Sequence, residues 1–301
     1  MTERNSFIGA SEAAAALGLS RYKTPLQLWG EKTGNLPVED VSGKLAVKLG
    51  NALEETVCKI FCEETGKEVR KAVETRFHPN YPFIGATLDR LVVGEKVPLE
   101  AKAISAWRKK EYNDGQSPIE YQIQLMVQII VTGAPYGYLA TLIGNEEFKW
   151  IKIERDDIVF KQLVEKLVHF WGFVERKEMP GIITRYDSDV LYNLFPLAEE
   201  GSQIDLGDAA TRMIESRNSM IVDLKNLEGL IDKTENEIKA MLKESESAIA
   251  GKFKITWKNQ SQVRIDTKAL KEAMPDVYKK FGKESAFRKL TIKEIQNGLD
   301  K

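Results

Sequence analysis

Asp89 is separated by ten residues from the run Glu100-Ala101-Lys102. Side chains alternate faces along a strand, so Glu100 and Lys102 share one side and Ala101 takes the other. A turn at Gly94-Glu95 would fold the two apolar stretches around these residues into a hairpin, bringing Asp89 alongside. Two neighbouring carboxylates repel each other, and a hard divalent cation relieves that repulsion while accepting their oxygens as ligands. A lysine on the same face can orient or deprotonate a water, or steady charge developing on a phosphate. Together these groups suit phosphodiester hydrolysis. The bare pattern also fits a solvated strand edge. Val97, Leu99 and Ile104 on one side, and the run Phe83-Ile84-Gly85-Ala86-Thr87-Leu88 on the other, favour buried strands instead, where unpaired charge is costly.

Elements able to hold these residues can be read around them. Residues 11–17 predict a short helix capped by Ser11, with Glu12 in its first turn and Gly18 at its end. Thr24-Pro25 opens a second helix that runs to Gly34. A third is expected from Gly50 to about Thr65, with Leu53, Val57, Ile60 and Phe61 at helical spacing. Residue 69 and residues 73–77 read as extended, and residues 83–93 and 96–104 as two strands. Residues 118–132 form an amphipathic helix, residues 136–143 and 147–153 a strand pair turned at Gly144-Asn145, and residues 156–177 a long helix. This order predicts an α/β core with a mixed central sheet flanked by helices.

A polar loop leads to a boundary near residue 203, dividing a first domain, residues 1–203, from an extension, residues 204–301. In the extension, residues 209–245 carry Ile214, Ile221, Leu224, Ile231, Ile238 and Leu242 at three- and four-residue intervals or their sums. That is a coiled-coil-like helix, or a helical hairpin broken near Gly229. Residues 253–257 and 263–265 are expected to form a β-hairpin, followed by a basic tail.

Composition narrows the chemistry. The chain has 301 residues and a formal net charge of −1. Residues 251–301 hold 13 Lys/Arg against 6 Asp/Glu, so a basic tail follows an acidic body, as suits a protein meeting phosphate on one surface. The two cysteines, Cys58 and Cys62, are too few for an all-cysteine iron–sulfur cluster and, lying in one helix, point to a reducing cytoplasm. His78 and His169 sit in no recognisable motif. No apolar run reaches the ~20 residues of a membrane span, and residues 1–6 do not open a signal peptide. Trp29, Trp150, Trp171 and the two cysteines are expected in the core, His78 in a loop, and Trp257 in a packing role.

Asp89 with Glu100-Ala101-Lys102 resembles the signature of the PD-(D/E)XK nucleases, and the chain is similar, over about residues 4–175, to the lambda exonuclease and YqaJ-like viral recombinase group. The resemblance also rests on Phe7-Ile8-Gly9-Ala10-Ser11, on the run from Leu17 to Pro25, on Gly50-Asn51-Ala52-Leu53-Glu54 and on Tyr121-Gln122-Ile123-Gln124. Leu88 stands where the signature has its first proline. The resemblance implies that Asp89, Glu100, the Ala101 carbonyl and Glu54 bind two Mg²⁺ ions, with Mn²⁺ an alternative. It implies that Lys102 positions the attacking water and Gln122 a group at the cut phosphate. Apolar spacing alone leaves Glu54 and Glu55 equivalent; the family pattern favours Glu54.

Arg4, Ser11 and Thr87 fall where that group grips a 5′-phosphate, and a helix beginning at Ser11 would add backbone donors. The implied activity is a 5′ to 3′ double-strand DNA exonuclease that leaves 3′ single strands for annealing. Implied with it are a ring-shaped homotrimer, an annealing-protein partner and a phage or prophage source in a bacterial cytoplasm. Other readings are an endonuclease or repair nuclease on the same fold, a DNA-binding or assembly module that does not cut, and a structural protein that oligomerises through its C-terminal helix.

Overall fold

In the computed structural model, residues 4–72, 75–181, 183–283 and 288–293 are described, with backbone only at Arg4 and residues 113–115. The chain divides into two compact units, Met1–Pro196 and Leu197–Lys301. Among the described residues no helix is long and apolar enough to cross a membrane.

The first unit begins with a 3-10 turn, Arg4–Ser6, then β1 (Ile8–Gly9) and α1 (Ala10–Ala16). Helix α2 (Pro25–Lys32) starts as expected, with the Thr24 side chain accepting from the Gln27 N–H and Pro25 in the first turn. Helix α3 (Leu45–Thr65) is followed by β2 (Val69–Lys71), β3 (Thr75–Phe77), β4 (Ile84–Thr87), β5 (Arg90–Val92) and β6 (Pro98–Ile104). A 3-10 segment, Ala106–Gly115, leads to α4 (Ile119–Thr132), β7 (Tyr136–Ile143), β8 (Glu147–Glu154), α5 (Asp157–Arg176) and α6 (Ser188–Leu194).

Five strands form one mixed sheet in the order β2-β5-β6-β7-β8, with β6 and β7 parallel and the other pairs antiparallel. A second sheet, β1-β4-β3, pairs β1 parallel to β4 and β3 antiparallel to it. This is the mixed α/β core with a mixed sheet flanked by helices that the sequence predicts. The central strand β6 is buried at Pro98, Leu99, Glu100 and Ala101, and α4 presents Ile123, Val127 and Ile130 to the same core.

Four local expectations change. Residues 83–93 are not one strand: β4 and β5 lie in different sheets, and the chain crosses between them at Leu88-Asp89. There the Asp89 carboxylate, instead of a ladder carbonyl, takes the Ala101 N–H at 3.1 Å. Helix α1 begins at Ala10 with Gly9 as its cap, so Ser11 lies inside the first turn and does not cap it. Helix α3 starts at Leu45 and runs through Gly50, where nothing would obstruct a side chain. Trp29 and Trp171 are buried as expected, but Trp150 is an exposed residue of β8, touching Phe61 and Tyr138 edge-on.

Gly85 is a packing requirement. A Cβ there would sit 2.8 Å from the Phe77 ring and 2.9 Å from that of Phe7, two rings packed edge-to-face at 5.2 Å. Gly85→Ala is therefore expected to destabilise the first unit by about 1–3 kcal/mol, the usual cost of overpacking. A urea midpoint equal to that of the parent would show that the rings yield freely.

The second unit contains α7 (Gly207–Leu242), β9 (Ser247–Ala250), β10 (Phe253–Thr256), α8 (Thr267–Ala273) and α9 (Pro275–Phe281). Helix α7 is continuous through Gly229, so the broken-hairpin alternative is not adopted. Strand β10 pairs antiparallel with β9 across Gly251, whose φ of +56° suits the tight turn. Residues 263–265 form no strand, which corrects the expected hairpin partner. Trp257 is half-exposed, not packed.

Candidate active site

The site is built where β5, β6, α3 and α4 meet. Antiparallel pairing sets Arg90 against Leu99, so the residue before Arg90 falls beside the residue after Leu99. Asp89 and Glu100 thereby become neighbours. Asp89 Oδ2 accepts from the Ala101 N–H, and a residue's N–H and C=O leave an extended strand on the same edge, so the Ala101 carbonyl is directed to this side as well. Glu100 is 1% exposed. Lys102 Nζ lies 2.5 Å from Glu100 Oε1, as alternation along β6 predicts.

Helix α4 supplies the rest of the acid's cage. Gln124 Nε2 donates to Glu100 Oε1 at 2.6 Å, and Gln128 Nε2 donates to Oε2. Gln124 and Gln128 are one turn apart and so project from one face. Gln122 points elsewhere and donates to the Ser117 carbonyl at 2.7 Å. The structure thus brings Gln124, and not Gln122, to the acidic centre. Gln128 has a signal of its own in the sequence: an amide within the apolar run Met126-Val127-Gln128-Ile129-Ile130, fully buried in the structure, needs a polar partner. Any reaction carried by Glu100 is expected to slow by roughly 10- to 100-fold in Gln124→Ala and by less than about threefold in Gln122→Ala, since only the former touches the group that carries charge. Equal losses in the two variants would contradict this assignment.

Glu54 and Glu55 project from α3 toward Arg90. Arg90, 5% exposed, donates through Nη1 to Glu54 Oε1 at 2.5 Å and through Nη2 to Glu55 Oε2 at 2.8 Å. Glu54 is the less exposed of the two, and its charge is felt at Asp89. Arg90 was not anticipated from the sequence. It holds Glu54 as a neighbour of the Asp89–Glu100 pair, engaged to a cation of the protein's own.

The electrostatics are those of crowded acids. Burial, and next the charge of Glu100, push the Asp89 carboxyl up to about 7, against the opposing pull of Lys102 and the Ala101 N–H. Burial disfavours the charge on Lys102, but Glu100 and Asp89 outweigh it and raise the lysine above its ordinary value. Lys102 is therefore a charged donor to Glu100 in this structure. Its ammonium also lies 5.2 Å from the centre of the Tyr121 ring, whose hydroxyl accepts from Arg108 Nη1 at 2.6 Å. Arg108 and Arg21 both clasp Glu111, holding its carboxyl down at about 2.

The donor set fits a hard divalent cation. Asp89, Glu100 and the Ala101 carbonyl offer oxygens of the kind such a cation takes, and burial together with the charge of Glu100 disfavours the charged form of Asp89. Among the described residues no three His, Cys, Asp or Glu side chains converge as they stand, and Glu54 is engaged by Arg90. Cys58, pushed up to about 12 by burial, is a core thiol. His78 closes a loop by accepting from the N–H groups of Asn80 and Tyr81.

Ser11 and Thr87 line a cavity of about 400 Å³ together with Thr75 and Gln124. Gln124 thus joins this cavity to Glu100. The Thr75 and Thr87 hydroxyls are 2.9 Å apart. At the N-terminus of α1, Glu12 accepts from the Gly9 N–H at 2.9 Å and pairs with Lys32 at 2.7 Å. The helix expected to offer backbone donors here begins at Ala10, one residue before Ser11. The side chain of Arg4 lies outside the described residues.

Comparison with known proteins follows the same lines. The sequence profile of the YqaJ-like viral recombinase domain matches residues 1–135. The protein YqaJ of Bacillus subtilis (strain 168) is 36% identical over 302 residues, spanning 98% of this chain and 93% of its own length. Two solved structures are similar at lower levels. An alkaline exonuclease from Laribacter hongkongensis aligns with a TM-score of 0.49 at 22% identity, covering 58% of this chain and 90% of its own. A phage related exonuclease from Haemophilus somnus 129PT aligns with a TM-score of 0.44 at 13% identity, covering 57% and 94%.

Proposed function

Because this chain belongs to the YqaJ-like viral recombinase family, we propose that its acidic centre hydrolyses DNA as a divalent-cation-dependent exonuclease, working 5′ to 3′ from duplex ends. The observation that carries the reading is the buried Glu100 with the half-buried Asp89 and Lys102 beside it, on strands that hold all three in register. A stability-driven core has no use for such a grouping, since two acids and one lysine leave an uncompensated buried charge. Asp89, Glu100 and the Ala101 carbonyl would hold Mg²⁺ or Mn²⁺, with Glu54 joining on release from Arg90. When bound, the ion polarises the scissile phosphate and lowers the pKa of the attacking water.

The protein's own groups do the remaining work. Gln124 and Gln128 fix both oxygens of Glu100, so the acid does not rotate away as charge moves. Lys102 orients the water and faces the negative charge that builds on the phosphate. A 5′-phosphate would occupy the cavity beside Ser11, Thr75 and Thr87, which offer hydroxyl donors. Trp107, 90% exposed next to Arg108, offers a face on which an unpaired base stacks. The product would be a duplex with a 3′ single-stranded tail, the substrate of a strand-annealing protein. A homo-oligomeric ring around the duplex would restrict basic surface to one channel, consistent with a net charge of −1.

The test uses linear duplex carrying a labelled 5′-phosphate and a closed circular plasmid, each incubated with Mg²⁺ or EDTA. We expect mononucleotide release from the linear DNA with Mg²⁺ alone, its loss in Lys102→Ala, and intact circles throughout. Linearised or nicked circles would assign an endonuclease instead. Release that persists in EDTA or in Lys102→Ala would remove the centre from the reaction.

A further inference from the structure

We propose that α7 is a docking helix for a partner protein that presents an amphipathic helix with basic flanks. Met213, Met220, Leu224, Leu227, Ile231 and Met241 follow the alternating three- and four-residue spacing of a coiled-coil seam, with Arg217, Thr234 and the half-buried Ile238 filling its other positions. All six are between 53% and 81% exposed, so the seam is open to solvent. From Met220 to Met241 it spans about 30 Å at 1.5 Å per residue. An open apolar stripe of this length marks an interaction surface. The stripe read from the sequence shares Leu224, Ile231 and Ile238 with this seam, which passes through the exposed Met213 and Met220 instead of the partly covered Ile214 and Ile221.

Charge selects the occupant. In this register the positions flanking the seam include Asp223, Glu228, Glu235 and Glu237, all exposed and all acidic, with no basic residue between residues 216 and 242 at those positions. Glu235 and Glu237 meet lysines of the same helix at 3.6 and 4.0 Å, exposed contacts that cost little to exchange. A second copy in parallel register would set Asp223 opposite Glu228 across the seam, a like-charge contact that opposes self-pairing. A helix with Lys or Arg at the matching positions meets the acids favourably. Methionine at three of the six positions lets the seam adapt to the partner's side chains.

The test titrates full-length protein into two labelled synthetic peptides of four heptads, both with leucine in the seam. One carries lysine at every flanking position and the other glutamate. The lysine peptide is expected to bind at least tenfold more tightly, with affinity falling at high salt. Leu224→Asn with Leu227→Asn should weaken it about tenfold with helix content unchanged by circular dichroism. Glu228→Lys with Glu235→Lys should shift preference to the glutamate peptide. Equal binding of both peptides, binding indifferent to the seam substitutions, or sedimentation showing that the seam pairs two copies would each overturn the proposal. None of these readouts depends on cleavage, so they stand apart from the catalytic reading.

Discussion

Glu100→Gln should reduce DNA hydrolysis by on the order of 10³-fold or more while leaving a folded protein. The acid is buried and receives three donors, Lys102, Gln124 and Gln128. Glutamine keeps the volume and one acceptor but removes the charge that Lys102 faces and that a cation would need. Its amide N–H₂ also confronts one of the donors already aimed at the carboxylate, so a stability loss of about 1–3 kcal/mol is expected alongside. The two effects separate in one experiment, cleavage assayed at a temperature where urea titration shows the variant fully native. Activity within about tenfold of the parent under those conditions would exclude Glu100 from the reaction.

Asp89→Asn should do the reverse for stability. The carboxyl is pushed up to about 7 in the folded chain, and its unfolded value is the ordinary one near 4. A raised carboxyl means that the folded state binds the proton more tightly. In the absence of divalent cation its contribution to stability is therefore greatest at low pH, declines from about pH 4 to pH 7, and levels off above. Asparagine keeps an acceptor for the Ala101 N–H without the charge. In EDTA at pH 8 the variant is expected to melt several degrees above the parent, the difference closing toward pH 4. Mg²⁺ should stabilise the parent more at pH 8 than at pH 6, because binding requires the deprotonated form, and should do little for the variant. A parent melting curve indifferent to Mg²⁺ at pH 8 would count against cation binding, and a variant that melts lower in EDTA would contradict the electrostatic account.

Much of the first unit was legible in the residues because periodicity and caps agreed there. Thr24-Pro25, the α4 helix and the β7–β8 pair emerged as read, since each has a pattern and a stop signal. The Asp89, Glu100 and Lys102 grouping was legible for a simpler reason: alternation on one strand and pairing to the next leave little freedom. What failed depended on contacts across the fold. Nothing adjacent in the sequence says that Arg90 will turn back to α3 and take both Glu54 and Glu55. Choosing between Gln122 and Gln124 requires the rotational phase of α4 against β6, and two residues amount to about 200° of helix rotation. The break at Leu88-Asp89 was hidden because apolar residues continue through it, and periodicity records burial, not which sheet provides it. In the second unit, β9 went unseen because Ser247 and Ala248 carry little strand preference, while Val263 and Ile265 carry much and form none.

A chain that changes sheets at Asp89 has made that residue a joint. Thr87, at the end of β4, borders the cavity, and Asp89, two residues on, is fastened to β6, with only the buried Leu88 between them. A link of two peptide units spans at most about 7 Å, so the cavity wall at Thr87 and the backbone of Asp89 cannot part. In the proposed exonuclease, a DNA end seated against Thr87 would rest with a single residue between it and the acid that faces the cation.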